Sequence, residues 1–296
     1  MNRPMVTAII PTFRRPHLVA RSCRSVLAQT WRPLELLVVD DGSGDNTPEV
    51  LESLYPEARD AGVRYHWHTV PNGGPGAARN DAMNGALGDY FAFLDDDDLW
   101  APDKLEIQMA AMLANPQAGA SFTQFIHEGS PDQPKPRPEQ MQDGWVFESL
   151  CRGTTRAHLQ TFLVTRQAVL ESGPFAPLYN FEDTEFMLRL ALRVPFVAVP
   201  RVLTTICTPG QTTVSREAGL EGDLRRDELK LRVLREFAAA HSQQERYSQP
   251  ALDALRARVY DEHIKHLIWL GRVGQARQAH AEAIAACGPH EALLKL

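Results

Sequence analysis

The sequence predicts an α/β protein, a sheet flanked by helices and followed by a helical region. Over the first hundred residues, short apolar runs alternate with helical stretches at a period of about 28 residues, and each run ends in a polar or glycine-rich loop. From about residue 216 the pattern changes to amphipathic stripes alone. Strand-helix-strand repetition of the first kind implies a parallel sheet with right-handed crossovers, and in such sheets ligands bind at the carboxyl ends of the strands.

The runs "VTAII" (6–10), "LELLVV" (34–39), "VRYHWHT" (63–69) and "YFAFL" (90–94) have strand length and composition, the second and fourth apolar enough to be buried on both faces. Between them lie three helices. The first runs from about Pro16 to Gln29, with Leu18, Ser22, Val26 and Leu27 on it; the second starts at Thr47-Pro48, a cap followed by a first-turn proline; the third runs from Gly76 to Ala86.

Each strand ends in chemistry-bearing residues: "PTFRR" (11–15), "DDGSGDNT" (40–47), "PNGGPGAARN" (71–80) and the aspartate run "DDDD" (95–98). Singly these are weak signals. "DDGS" is more often a plain turn, "NGGPG" a flexible loop, and an acidic run a solvated loop tip. Together they are expected to meet at one sheet edge and form a nucleotide-diphosphate pocket. Thr12 and Arg14 are its donors, Asp41 the acceptor for a base or ribose, and Arg79 a fork for phosphate. Carboxylates roughly 6 Å apart repel by about 3 kcal/mol per pair at an effective dielectric near 20. Four together favour a bound cation or shifted pKa values, and their oxygens suit Mg2+ or Mn2+.

The 296 residues are 44% hydrophobic with a net charge of -6, enough for one large core or a core plus an appendage. With no block of lysines and arginines, nucleic acid is not an expected partner. No stretch approaches 18 uninterrupted apolar residues and "MNRPMVTAIIPTF" has no signal-peptide pattern, so the expected location is cytoplasmic, without a transmembrane segment. Cys23, Cys151, Cys207 and Cys287 are too scattered for a zinc site or a disulfide framework.

The order "AIIPTFRRP", "LELLVVDDGSGDNT", "NGGPGAARNDAMNGALGDYFAFLDDDDLWAPDKLE" and "FEDTEFMLRL" is similar to the family 2 glycosyltransferases, over roughly residues 5 to 215. The resemblance implies the GT-A fold, a Rossmann-like mixed sheet flanked by helices, with a catalytic domain over 1–215 divided near residue 100 into nucleotide-binding and acceptor-side halves. The region 216–296 is then a C-terminal helical appendage. It also implies metal-assisted, inverting transfer of a sugar from a nucleotide-diphosphate donor, with a UDP-sugar as the leading expectation, to a carbohydrate or lipid-linked hydroxyl in polysaccharide or glycoconjugate synthesis. By that resemblance Pro11, Thr12, Phe13, Arg14, Asp41, Gly74, Arg79, Asp95 and Asp96 bind the donor. Asp41 reads the base, Asp96 holds the ribose or diphosphate, and Asp97 with Asp95 ligates the metal, while Asp98 closes the run as a turn cap.

Inverting transfer also needs a general base. In "NFEDTEFMLRLALR" (180–193), Phe186, Met187 and Leu190 make a helical apolar face, so Glu182 and Asp183 fall at its first turn. Acids there are favoured by the helix dipole alone. The resemblance selects Asp183 as the base, with Glu182 as its rival. One departure stands against the family pattern: "CTPGQTTVS" (207–215) has Thr208 where many members carry a metal-side histidine.

On the acceptor side, "HEGSPDQPKPRPEQMQDG" (127–144) is expected to be a loop or lid with extended segments. Residues 154–175 are expected to form a strand and helix from which His158 or Gln160 could touch a sugar. In the C-terminal region, Leu220, Leu224, Leu231, Leu234 and Phe237 form one stripe. Leu252, Leu255, Val259, Leu267 and Leu270 form a second, and Ala276 to Ala286 a third, with 242–250 as connector. Such stripes are packing faces of a docked appendage first, and a homodimer surface or peripheral membrane contact second. Two other classes share these features: a sugar-nucleotide pyrophosphorylase or nucleotidyltransferase, whose glycine-rich phosphate loop is missing here, and a catalytically silent nucleotide-sugar-binding protein.

Overall fold

A computed structural model describes residues 3–207 and 219–293. The described residues form two compact units, one within Met1–Val146 and Arg156–Thr208, the other within Phe147–Thr155 and Pro209–Leu296. In chain order the elements are β1 (Val6–Thr12), α1 (Pro16–Leu27), β2 (Leu34–Asp40), α2 (Thr47–Glu52), α3 (Tyr55–Asp60), β3 (Arg64–Thr69), α4 (Pro75–Gly85), β4 (Tyr90–Phe93), β5 (Leu99–Trp100), α5 (Lys104–Ala114), β6 (Ala120–His127) and β7 (Ser130–Lys135). They continue with α6 (Phe147–Arg152), β8 (Phe162–Thr165), α7 (Arg166–Ser172), α8 (Glu182–Ala191), β9 (Phe196–Ile206), α9 (Leu220–His241), α10 (Gln249–Trp269) and α11 (Val273–Cys287).

The first unit is built on one mixed sheet of order β3-β2-β1-β4-β8-β6-β9-β5, with β7 paired to β6. The four expected strands are present, mutually parallel, with β1 between β2 and β4. All of β1 and β2 is buried, whereas β3 at the edge exposes Arg64, His66 and Thr69. Burial on both faces explains why β2 is mostly aliphatic, with its two acidic residues, Glu35 and Asp40, hydrogen-bonded. Beyond β4 the sheet turns antiparallel through β8, and β6 then runs parallel to β9.

Two expectations change here. The helix beginning at Thr47-Pro48 stops at Glu52, and a second short helix with its own first-turn proline, Pro56, follows as α3. The expected loop over 127–144 contains β7, which pairs with β6 at Phe125↔Lys135 and His127↔Ser130. Its prolines are tolerated because, among the described residues, β7 has a partner on one side only, so a missing N–H breaks no second ladder.

In the second unit, α9, α10 and α11 bury Leu224, Leu231, Leu234 and Phe237, then Leu252, Val259 and Leu267, then Ala276, Ala279 and Ala283. Leu220, Leu255 and Leu270, assigned to those stripes from the sequence, are half-buried at their margins. The short helix α6 belongs to this unit, although the sequence places it in the acceptor-side half. Phe147 stacks on Phe237 at 6.2 Å between ring centroids, and Arg258 Nη2 donates to the Cys151 carbonyl at 2.6 Å.

A polar knot closes the sheet at the end opposite the loops. Thr7 Oγ1 donates to Glu35 at 2.6 Å, and the Leu87 N–H donates to the same carboxylate at 2.8 Å. The Gly88 N–H donates to Thr7 Oγ1 at 2.9 Å. A Cβ on Gly88 would lie 2.5 Å from that hydroxyl oxygen and 2.6 Å from the Thr7 backbone nitrogen. We expect Gly88→Ala to destabilise the protein by about 1–3 kcal/mol through overpacking against backbone, read as a lower urea midpoint; an unchanged midpoint would contradict the tight contact.

Candidate functional site

Ligands of open α/β sheets bind outside the carboxyl ends of the strands where strand order reverses. That point here is β1, from which the chain builds outward to β2 and β3 before returning to β4 on the other side. The loops after β1 and β4 therefore face each other. Buried polar bonds join them: Thr12 Oγ1 donates to Asp96 Oδ2 at 2.8 Å, and Arg15 Nη1 donates to Asp96 Oδ1 at 2.8 Å and Asp97 Oδ2 at 3.1 Å. From α1, Ser22 Oγ lies 2.8 Å from the carbonyls of both Asp96 and Asp98, which fixes the turn of the aspartate run.

The four aspartates have different surroundings. Asp96 is 5% exposed and turned inward, with both oxygens engaged by Thr12 and Arg15 rather than open to a ribose or diphosphate. Burial raises its carboxyl pKa against the pull of Arg15. Burial also pushes the Asp97 carboxyl up to about 6, helped by the charges of Asp95 and Asp96. Asp98 is buried and raised for the same reasons, burial first and Asp95 next, and its Oδ1 accepts from the Cys207 N–H at 2.8 Å. Asp95 accepts from Arg79 Nη2 at 2.6 Å and from Gln160 Nε2. One oxygen each of Asp95, Asp97 and Asp98 lies within 4.8 Å of the others. Crowded, partly desolvated carboxylates with nothing but oxygen donors fit a hard divalent cation. Asp98, taken from the sequence as a turn cap, joins this group.

Arg79 lies on α4 with its side chain 3% exposed. Its guanidinium bridges Asp95 Oδ1 and, at 2.9 Å, Glu182 Oε1. Burial works against its charge, but Asp95 and Glu182 override this and raise its pKa. In place of the expected phosphate fork, the structure gives a clamp between the β4 loop and the start of α8. The clamp also separates the two base candidates. Glu182 is buried in the ion pair, with burial raising its carboxyl. Asp183 is half-buried and has no ion pair among the described residues; its Oδ1 accepts from the Thr184 N–H at 2.6 Å.

On the β2 and β3 side, the Asp41 carboxylate accepts from the backbone N–H groups of Gly73 and Gly74 at 2.8 and 2.9 Å and from Asn72 Nδ2 at 3.0 Å. Gly74 has φ 85°, and the Tyr179 ring lies over it, 3.7 Å from where a Cβ would stand. Tyr179 donates its hydroxyl hydrogen to Asn72 Oδ1. Pro11 is a buried member of β1, and Phe13 is half-buried under the Arg14 guanidinium at 4.8 Å. Arg14 is exposed and hydrogen-bonds to Ser43 through its backbone N–H and Nε. Among the described residues the non-glycine positions with positive φ are Arg14 (55°) and Phe181 (71°), the latter directly before Glu182. Such backbone costs about 1–3 kcal/mol and is held by its surroundings, as at ligand sites.

Arg15, Ser22 and Tyr179 escaped the sequence assignment. Arg15 stood in the quoted "PTFRR", where alternation alone cannot say which arginine turns inward. Thr208 lies outside the described residues, so what stands at the histidine position is not described.

Residues 7–172 match the family described as Glycosyl transferase family 2. The chain is 40% identical over 116 residues to the Escherichia coli UDP-Glc:alpha-D-GlcNAc-diphosphoundecaprenol beta-1,3-glucosyltransferase WfgD, covering 39% of this chain and 44% of that one. It is 35% identical over 132 residues to the Bacillus subtilis putative teichuronic acid biosynthesis glycosyltransferase TuaG, covering 44% and 51%. The match spans about half the length of these two relatives and as little as 17% of another, from Rickettsia felis. Among solved structures, S. aureus TarS 1-349 in complex with UDP-GlcNAc superposes with a TM-score of 0.70 at 17% identity, covering 96% of this chain and 81% of that one. The mannosyltransferase PcManGT of Pyrobaculum calidifontis, in complex with GDP-Man and Mn2+, gives 0.65 at 21%, covering 100% and 79%. At such identities the likeness shows the fold, which is GT-A.

The crowding has a measurable cost without a cation. We expect Asp97→Asn to raise the melting temperature of the metal-free protein at neutral pH, because one of several desolvated like charges is removed, and to abolish stabilisation by Mn2+. Calorimetric melting with and without Mn2+ checks both, and a destabilised metal-free variant would show that the Arg15–Asp97 pair outweighs the crowding.

Proposed function

The chain belongs to glycosyl transferase family 2, and on that premise we propose that it is an inverting glycosyltransferase moving a sugar from a nucleotide diphosphate to a hydroxyl acceptor. The observation that carries this is the pairing of two carboxylate environments across one clamp. The crowded oxygens of Asp95, Asp97 and Asp98 stand on one side and Asp183, outside any ion pair among the described residues, on the other, with Arg79 joining Asp95 to Glu182.

The roles follow from those environments. Asp183 takes the proton of the acceptor hydroxyl as its oxygen attacks the anomeric carbon opposite the leaving diphosphate. Glu182 is unsuited to that step because its carboxylate is buried against Arg79, and it acts instead to hold the helix start in place. Asp95, Asp97 and Asp98 would hold Mg2+ or Mn2+, which supplies Lewis-acid neutralisation of the diphosphate charge. Asp41 orders the Asn72-Gly73-Gly74 loop, which on this reading would border the nucleoside, and the exposed Arg14 would meet phosphate.

A UDP-sugar donor and a lipid-linked or carbohydrate acceptor are the substrates we assign, by analogy with the activity printed for the E. coli relative and with the UDP-GlcNAc held by the TarS structure. The setting we assign is cytoplasmic polysaccharide assembly. The four cysteines are free, as in a reducing compartment, and no described helix is long and apolar enough to cross a membrane.

Two measurements test this. Among UDP-, GDP-, dTDP- and CMP-sugars, one series should raise the melting temperature, and only with Mn2+ present; no stabilisation by any would sink the proposed pocket. Asp183→Asn should lower turnover about 10²- to 10⁴-fold while leaving donor affinity within about twofold, and retained turnover would remove Asp183 from the role.

A further inference from the structure

Gln160 is 7% exposed, yet its Oε1 has no hydrogen-bond partner among the described residues. The amide cannot turn over to relieve this. Its Nε2 donates to Asp95 Oδ2, and the reversed amide would set a carbonyl oxygen against a carboxylate. Nor can the backbone swing away, because the Gln160 carbonyl accepts from Trp100 Nε1 at 2.9 Å and Thr204 Oγ1 at 3.4 Å. A buried acceptor fixed without a donor is rare in folded proteins and marks a place where a ligand or water supplies the hydrogen.

Its position says which ligand. Both ends of one amide lie close together, so Oε1 stands beside the acidic corner that Asp95 helps to form. Gln160 touches Asp95, and Arg79 links Asp95 to Glu182, the residue before Asp183, so Gln160 stands beside the bridge that joins the proposed leaving-group corner to the proposed base.

We propose that Gln160 is a donor-sugar residue, its Oε1 accepting a hydrogen bond from a hydroxyl of the transferred sugar while its Nε2 holds Asp95. This rests on the glycosyl-transfer function proposed above. A buried acceptor built to meet a hydroxyl discriminates against sugars that lack one at that place, so Gln160 contributes to donor choice as well as affinity.

Titration calorimetry with Mn2+ separates the sugar from the nucleotide, using UDP, UDP-glucose and UDP-N-acetylglucosamine, and GDP with GDP-mannose. Gln160→Met should bind the nucleoside diphosphate within about twofold of the wild type, since Arg79 still holds Asp95, and bind the matching nucleotide sugar about tenfold more weakly. Gln160→Asn, which keeps the amide one methylene short, should show the same sugar-selective loss and covers the case in which the Met variant does not fold. Equal loss for diphosphate and nucleotide sugar, or no loss for either, overturns the role of Gln160 and leaves the pocket standing. A wild-type protein that binds none of the diphosphates would sink the pocket itself, and Gln160 with it.

Discussion

The guanidinium of Arg79, buried between Asp95 and Glu182, ties together two stretches of chain more than eighty residues apart in sequence. A cation at that depth persists only with partners, because breaking a buried pair costs about 3–5 kcal/mol. Two carboxylates engage its Nη1 and Nη2 and offset its charge, and each is oriented in return. The consequence reaches past the pair: Glu182 anchors the first turn of α8 and thereby sets where Asp183 stands, while Asp95 is held from the other side by Gln160. The stacked rings of Phe175 and Phe186, 4.1 Å apart, pack beside the same clamp, with Arg79 5.4 Å from the Phe175 ring. Asn80 fixes that phenylalanine by bonds of 2.9 and 2.8 Å to its carbonyl and N–H. The distance between Asp95 and the first turn of α8 is thus set by packed interior.

Much of the nucleotide half was legible in the sequence, because it is governed by local pattern. The β2 strand is fully buried, so its run is mostly aliphatic, and the polar loop after it has nowhere to go but the sheet edge. Direction was less legible than position. The strings "PTFRR" and "DDDD" place their residues at the site, but which arginine turns in and which aspartate turns away depends on backbone dihedrals at the loop. The positive φ of Arg14 is one such choice. Ser22 looked like part of an apolar helix face and proves to be the hydroxyl that pins two aspartate carbonyls. Its role exists only because α1 and the β4 loop meet, which no window of sequence contains.

The acceptor-side half and the helical unit show the same division. Periodicity found α9, α10 and α11, yet it could not assign α6 to their company, since that grouping depends on Phe147 meeting Phe237 across ninety residues of chain. Proline content argued against regular structure in 127–144, but an edge strand is the one sheet position that proline does not spoil.

The polar groups of the candidate site largely satisfy one another. Thr12 and Arg15 serve Asp96, Arg79 and Gln160 serve Asp95, and Asp41 occupies the backbone amides of Gly73 and Gly74. Ligand entry at such a site is an exchange of partners rather than an addition of bonds. The heat of binding then reports the difference between two sets of charge-assisted hydrogen bonds, so a modest enthalpy is compatible with a densely bonded complex. The internal partners act as competitors occupying the site at a fixed, very high effective concentration, and a ligand able to displace only some of them leaves the remainder in place.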